Sequence, residues 1–215
     1  MKTTNKLKTT TKFIVILLST IILSSCAKIF YTPDAYSLAR EHKAMAILPP
    51  SVSIAAHKKL DAEAIIEQQK TESKNFQEEM YSWMLKRKMQ GNIMPEIQDV
   101  ETTNAILKKE GYPETPYTPG ELCEILNVDG VMGSNFSLIK PMSEGAAVAL
   151  GLLVGFYGAT NEVTVSLDLR DCSNKKLIWN YSHKYSGGIG SSPSRLVDAL
   201  MRHASKKMPY MQQVN

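Results

Sequence analysis

The sequence predicts a single α/β domain with a mixed sheet, helices packed on the sheet, and boundaries at residues 44–210. Two patterns indicate this class. A strand, a long helix and a short strand follow one another between Ala44 and Ile97, which is the order of a βαβ unit. Three strands without an intervening helix then lie between Gly130 and Tyr185, which is typical of an antiparallel meander. Together they give a mixed sheet.

The first predicted strand is the apolar run from Ala44 to Leu48. A short apolar run that turn residues terminate is typical of a buried strand. Pro49 and Pro50 follow, and proline has no backbone N–H to donate to a neighbouring strand. We therefore expect strand pairing to end at Pro49.

Residues 60–90 predict one long helix, since they are rich in Glu, Gln, Lys, Ala and Met and contain no Gly or Pro. Gly91 follows as a natural cap for the carboxyl end. Asn92 to Ile97 predicts a short edge strand, because Pro95 interrupts it. One apolar helix face is formed by Phe76, Met80, Trp83 and Met84.

Two shorter helices are indicated by their capping residues. Asp99 can cap a helix that Gly111 closes. Thr118 is followed by a proline at the first helical position and by Glu121 three residues after the cap, which is a capping box. This second helix should end near Asn127.

The carboxyl-terminal half predicts three strands and a helix. The first strand covers Gly130 to Ile139, and the second begins near Val163, where apolar and polar residues alternate. The segment from Asp171 to Asn174 has the residues of a tight turn, so the second and third strands form a hairpin. Ser192 is the expected cap of the last helix.

The amino terminus has the pattern of a secretory signal peptide. Four lysines and no acid precede an apolar run from Phe13 to Leu23, which is shorter than a membrane span requires. Leu-Ser-Ser-Cys then ends at Cys26 and resembles the bacterial lipobox. This resemblance implies cleavage before Cys26 and lipidation there with diacylglycerol and usually a further acyl chain such as palmitate. An uncleaved anchor with a chance cysteine is the alternative.

These features divide the chain into a lipoprotein signal peptide over residues 1–25, a lipidated tether over residues 26–43, and the domain. The whole chain carries 25 Lys+Arg against 21 Asp+Glu, and four of those lysines precede Cys26. The remaining chain therefore has no net charge, which argues against a nucleic-acid partner. The basic run Lys86–Lys88 is the best candidate for a local basic binding face, and an ordinary solvated helix face is the alternative.

Histidines and cysteines give no sign of a metal or catalytic centre. The four histidines are scattered, and no spacing typical of a zinc site is present. No motif groups a nucleophile with a base, so we expect a protein that is not an enzyme and has no cofactor. Cys123 and Cys172 could pair in an oxidising compartment, but their spacing decides nothing, so both states stay open.

Several short segments resemble periplasmic lipoproteins related to the curli secretion channel, a group whose fold is shared by small outer-membrane lipoproteins and by activators of penicillin-binding proteins. The resemblance lies in Ala46–Pro50, Glu110–Tyr112, Leu122–Gly133, Val163–Asp171 and Leu177–Trp179. It implies an α/β domain that binds proteins, often in rings, at the inner face of the outer membrane, and it transfers no catalytic residue. Curli channels build a barrel from two long amphipathic hairpins per subunit, and neither hairpin is present in this sequence, which disfavours a pore.

The stretch from Gly145 to Gly158 has no charged residue. Three interpretations stay open: a buried core segment, an interface with a second copy or a protein partner, or a segment that dips into lipid. The candidate interface residues are Gly145, Val148, Leu150, Gly151, Leu152, Leu153, Val154, Gly155 and Phe156.

Two functions compete at this stage. The first is a lipid-anchored periplasmic interaction or assembly protein at the outer membrane. The second is a ligand-binding or hydrolytic periplasmic lipoprotein whose site is assembled from distant residues. A concave pocket with convergent titratable groups would favour the second hypothesis.

Overall fold

The protein is a mixed α/β domain with one seven-stranded sheet, in a computed structural model that describes residues 27–55, 62–139, 162–186 and 193–211. The strands are β1 (Lys28–Tyr31), β2 (Ala44–Ile47), β3 (Ser51–Ala55), β4 (Glu96–Ile97), β5 (Gly130–Ile139), β6 (Glu162–Asp171) and β7 (Lys176–Ser186). The helices are α1 (Ala35–Glu41), α2 (Ala62–Met89), α3 (Val100–Lys109), α4 (Pro119–Leu126) and α5 (Pro193–Ala204), and a 3-10 turn covers Ser205–Lys207.

The strand order is β1-β7-β6-β5-β2-β4, and β3 also pairs with β5. β2 and β4 are parallel and α2 connects them, which confirms the predicted βαβ unit. β5, β6 and β7 pair antiparallel in sequence order, which confirms the predicted meander. The fold class that the sequence indicated is therefore correct.

The prolines after β2 interrupt strand pairing without ending it. β2 pairs with β5 as far as Ile47, and β3 resumes the parallel pairing with β5 from Ser51 onward. β5 has ten residues, so it can pair with both short strands on either side of the prolines. The pairing of β2 does end before Pro49, as predicted, but the sequence did not predict that pairing resumes in β3.

The interpretation of residues 26–43 as a tether is wrong for the described part of this range. β1 pairs antiparallel with β7, from Lys28 opposite Ser182 to Tyr31 opposite Trp179. α1 follows and buries Ala35 and Ala39 completely. A four-residue strand and a two-turn helix are too short for a periodic signal, because their stability comes from tertiary contacts.

The predicted caps that lie within the described residues are confirmed, whereas Ser192, the predicted cap of α5, lies outside them. The side chain of Asp99 accepts a hydrogen bond from the Thr102 N–H at 2.9 Å, and Thr118 and Glu121 form both halves of the capping box. Gly91 has φ +74°, a backbone conformation in which glycine is favoured at a helix end. Asn127 closes α4 in the left-handed region.

The core has two layers, one on each side of the sheet. On the inner face, α2 and α5 pack against β5, β6 and β7, and the rings of Phe76 and Phe136 stack with centroids 4.1 Å apart. Phe76, Met80 and Met84 are buried as predicted, whereas Trp83 is only partly buried. On the other face, α3 and α4 cover β2 and the beginning of β5 through a smaller cluster. Over the described ranges, no helix has the length and hydrophobicity that crossing a bilayer requires.

Candidate functional site

A cleft of about 410 Å³ opens at the end of the sheet where β2 and β5 begin and β6 ends. Parallel neighbours begin at the same edge of a sheet, and an antiparallel neighbour ends there. The topology therefore brings together His42, just before β2, Asp129, just before β5, and Asp171, the last residue of β6. The other lining residues are Glu41, Cys123, Glu124, Asn127, Val128, Cys172 and Ser173.

The base of the cleft is a buried hydrogen-bonded triad. His42 Nε2 lies 2.8 Å from Asp171 Oδ1, and His42 Nδ1 lies 2.6 Å from the hydroxyl of Tyr210. An arrangement that satisfies all three groups has the Nε2–H donating to the carboxylate and the tyrosine hydroxyl donating to Nδ1. The exposed fractions are 6% for His42, 2% for Asp171 and 0% for Tyr210.

The Asp171 carboxylate is also held by the hairpin that follows it. Its Oδ2 accepts hydrogen bonds from the Ser173 hydroxyl at 2.8 Å and from the Asn174 N–H at 2.7 Å. Burial alone raises the pKa of Asp171, but the hydrogen bonds from His42, Asn174 and Ser173 outweigh burial, and the pKa is lowered overall. The carboxyl group is therefore held as an anion at neutral pH.

Tyr210, the third member of the triad, is 168 positions from His42 in the sequence. Burial raises the pKa of its hydroxyl well above the ordinary value, and the negative charges of Asp171 and Asp129 raise it further. Gly130 lies directly beneath the pair. A Cβ at this position would clash with the Tyr210 hydroxyl and would approach His42 Nδ1 to 2.6 Å, so the triad requires glycine here.

Asp129 joins the starts of the two parallel strands. Its Oδ2 accepts hydrogen bonds from the N–H groups of Lys43 at 2.7 Å and of Ala44 at 2.9 Å. The hydrogen bond from Ala44 is the main reason why the pKa of Asp129 is lowered, and the one from Lys43 adds to it. The Asp129 carbonyl in turn accepts from the N–H of Cys172 at 2.9 Å.

A disulfide between Cys123 and Cys172 fastens α4 to the β6–β7 hairpin. Beside it, Lys175 forms an ion pair with Glu124 at 2.8 Å. The Lys175 side chain lies over Gly120 so closely that a Cβ there would come 2.7 Å from Lys175 Cδ. The sequence left the state of these cysteines open, and the structure pairs them.

The chemical capacity of this cleft is limited by burial. Every polar side-chain atom of the triad has a partner, and the only nucleophile in contact with His42 among the described residues is the fully buried hydroxyl of Tyr210. A hydroxyl that no substrate can reach does not act as a nucleophile. The carboxylates of Glu41, Glu124 and Asp129 lie at the exposed mouth. In the described ranges, no three His, Cys, Asp or Glu side chains are placed to hold a metal ion.

The residues that the sequence put forward as functional are not among those that the structure describes. Cys26 and the whole candidate interface Gly145–Gly158 lie outside the described residues, so both predictions stay predictions. Sequence reasoning missed the cleft, because its members come from positions 42, 129, 171 and 210. Two local signals were available: Asp171 before a turn and Gly130 at the start of a strand, where glycine is unfavourable without a close neighbour.

Comparisons with known proteins give similarities of fold only. No protein family and no curated protein matches this sequence. Among solved structures, the chain is similar to the PelC dodecamer from Paraburkholderia phytofirmans, with 13% identity over 88% of this chain and 99% of that chain, at a TM-score of 0.41. Lipoprotein GNA1162 from Neisseria meningitidis has 15% identity over 76% and 94%, at a TM-score of 0.41.

The carboxyl-terminal domain of LpoB from Salmonella enterica has 9% identity over 67% of this chain and 82% of that domain, at a TM-score of 0.35. At such identities and scores, these similarities assign neither a family nor a function to this chain. The relation to the curli secretion channel stays a prediction.

Proposed function

We propose that this protein is a lipid-anchored periplasmic protein of a bacterial outer membrane that acts by binding other proteins. It is neither an enzyme nor itself a pore. The anchor is Cys26, at the end of the lipobox-like segment. The disulfide between Cys123 and Cys172 supports an oxidising compartment such as the periplasm.

The observation that carries this proposal is a sheet surface that none of the described helices covers, which we call the open face. α3 and α4 cover β2 and the beginning of β5, whereas Asn135, Thr164 and Lys184 are exposed further along the same face. These three residues lie on β5, β6 and β7, so the open face spans three adjacent strands. Its other members are Ser166 and Asp168 on β6 and Asn180 on β7.

Three side chains of the open face are joined by hydrogen bonds. Asn180 Nδ2 donates to Asp168 Oδ1 at 2.6 Å and to Ser166 Oγ at 2.9 Å. Side chains that are already fixed lose less conformational entropy when a partner binds. A polar surface that spans three strands and is partly fixed by its own hydrogen bonds fits a protein partner or a second copy of the chain better than a small molecule, which prefers a concave site.

A photo-crosslinking experiment in the bacterial envelope tests this proposal. A photoreactive residue replaces Thr164 in the full chain, and a second version carries it at Lys109, an exposed position of α3, as the control. We expect a discrete crosslinked protein or dimer from position 164 and none from position 109. Equal crosslinking at both positions, or none at either, would contradict the proposal.

The Cys26→Ser variant tests the lipid anchor, since the variant protein should be lost from the membrane fraction.

The cleft supports a second candidate function, the binding of a small periplasmic ligand. The cleft is a concave pocket with convergent titratable groups, as this hypothesis requires. Its mouth carries the carboxylates of Glu41 and Asp129, together with Glu124, whose charge the ion pair with Lys175 offsets. Such a mouth favours a cationic ligand. Thermal unfolding in the presence of amines such as spermidine or arginine tests it: an upward shift that Glu41→Gln abolishes supports ligand binding, and no shift argues against it.

A further inference from the structure

The proposed lipid anchor has almost no linker. Ala27 already packs against the core, and β1 begins at Lys28. Consecutive Cα atoms are about 3.8 Å apart, so the Cα of Cys26 lies within that distance of a residue of the folded domain. A free tether over residues 26–43 would have allowed a reach of about 60 Å. The pairing of β1 with β7 removes this freedom.

The surface around this attachment point carries aromatic and basic residues. Phe30 is 49% exposed on β1, and Lys28 is exposed two positions earlier on the same side of the strand. Tyr36 is 36% exposed and stacks on Tyr31 at a centroid distance of 5.7 Å. The Tyr31 hydroxyl donates to the carbonyl of Lys207 at 2.7 Å, which brings the exposed Lys207 to the same edge.

Lys28 and Phe30 project to one side of β1, whereas Tyr31 projects to the other side, toward Tyr36 and the Lys207 carbonyl. The four exposed residues Lys28, Phe30, Tyr36 and Lys207 therefore flank the edge formed by β1 from both sides, and we call them the β1 edge surface. Aromatic rings and lysines are the side chains that favour the headgroup region of a bilayer, where the ring lies in the apolar boundary and the ammonium group stays hydrated. Anionic headgroups add an attraction for the lysines. The nearest carboxylate in the sequence is Asp34, which is half-buried between β1 and α1.

We infer that the β1 edge surface rests on the lipid bilayer that holds the acyl chains of Cys26. This inference depends on the proposed acylation, and it adds a fixed orientation of the domain. β4 is the opposite edge of the sheet, five strand spacings from β1, which corresponds to about 24 Å. The β4 edge therefore points away from the membrane.

A quenching experiment on the full acylated chain in vesicles of phosphatidylethanolamine and phosphatidylglycerol tests the orientation. Single-cysteine variants Phe30→Cys and Glu96→Cys carry a fluorophore, and labelling is specific because Cys123 and Cys172 are paired and Cys26 is acylated. Glu96 is the matched control, since it is an exposed residue of the opposite edge strand. We expect lipids with a headgroup quencher to quench the label at position 30 and to leave the label at position 96 unchanged.

The outcomes separate this inference from the proposed function. If the protein floats with vesicles and the Cys26→Ser variant does not, the anchor alone is established. If the unmodified protein does not float, the anchor is refuted. If the protein floats but both labels are quenched equally, or only the label at position 96 is, the orientation is wrong. Crosslinked dimers through Phe30→Cys would also overturn it, because they would assign the β1 edge to a second copy.

Discussion

The hydroxyl of Tyr210 lies 2.6 Å from Nδ1 of His42, although 168 positions separate the two residues in the chain. Both are buried, and Asp171 holds the other imidazole nitrogen. A buried polar group that loses its partner costs more than an exposed one, because water cannot replace the bond. The triad therefore joins the start of the domain to its last described turn, and its removal should be measurable as a loss of stability.

Tyr210→Phe tests how much this hydrogen bond contributes to the free energy of unfolding. The variant keeps the ring and leaves His42 Nδ1 without a donor, so the free energy of unfolding should fall by about 1 to 3 kcal/mol. Urea unfolding of soluble Ala27–Asn215 measures the change. Tyr117→Phe is the control, because the Tyr117 hydroxyl donates to the Glu110 carbonyl at an exposed site, where water can take its place. An equal loss in the two variants would refute a special role for the triad.

Gly130→Ala should disrupt the same pair by steric overlap. The added methyl group meets the Tyr210 hydroxyl and His42, both of which are fixed by packing. Overpacking of this kind costs about 1 to 3 kcal/mol. Gly133→Ala, in the same strand, is the matched control, because its new Cβ would lie 4.0 Å from the Asp168 Cβ, an ordinary contact. The two midpoints of urea unfolding should differ clearly, and coincident midpoints would contradict the geometry.

Acid should destabilise the fold through Asp171. Its pKa is lower in the folded protein than in the unfolded chain, so the unfolded state takes up a proton first as the pH falls. The contribution to stability is complete above the unfolded pKa of about 4 and is lost as the pH falls through the folded pKa. Asp129 adds to this trend, since its pKa is also lowered.

Asp171→Asn isolates the contribution of this residue. The variant should be less stable at neutral pH, and its stability should decline less steeply than that of the unmodified protein between neutral pH and the acid range. Urea unfolding over a pH series gives both slopes. An Asp171→Asn protein with an unchanged acid slope would show that the carboxylate is not the group that titrates.

Reduction of the disulfide should lower the stability of the domain as a whole. It should not unfold one of the two helical layers before the other. Cys123 and Cys172 are 49 positions apart, and closing a loop of that length stabilises by about 2 to 4 kcal/mol. Thermal unfolding with and without dithiothreitol measures the effect. The double variant Cys123→Ala, Cys172→Ala should behave like the reduced protein and show no response to dithiothreitol; a response there would point to another target of the reductant.

The sequence predicted those parts of the fold that depend on neighbours in the chain. The caps at Asp99 and Thr118 act within three residues, and the alternation along β6 is a property of one strand, so both could be read directly. β1 could not, because four residues become a strand only when β7 pairs with them. The disulfide and the triad could not be predicted for the same reason. No residue near Cys123 in the sequence indicates that it pairs with Cys172, and no residue near His42 indicates that it contacts Tyr210.

The pairing of β1 with β7 constrains how the chain can fold if it crosses the inner membrane from its amino terminus, as a secreted polypeptide does. Lys28–Tyr31 emerge early, but their partner strand follows about 150 positions later, and Tyr210 arrives later still. Contacts this distant in sequence form slowly. The emerging chain must then wait with its first strand exposed, so a periplasmic chaperone that shields early segments would determine how much protein reaches the native state.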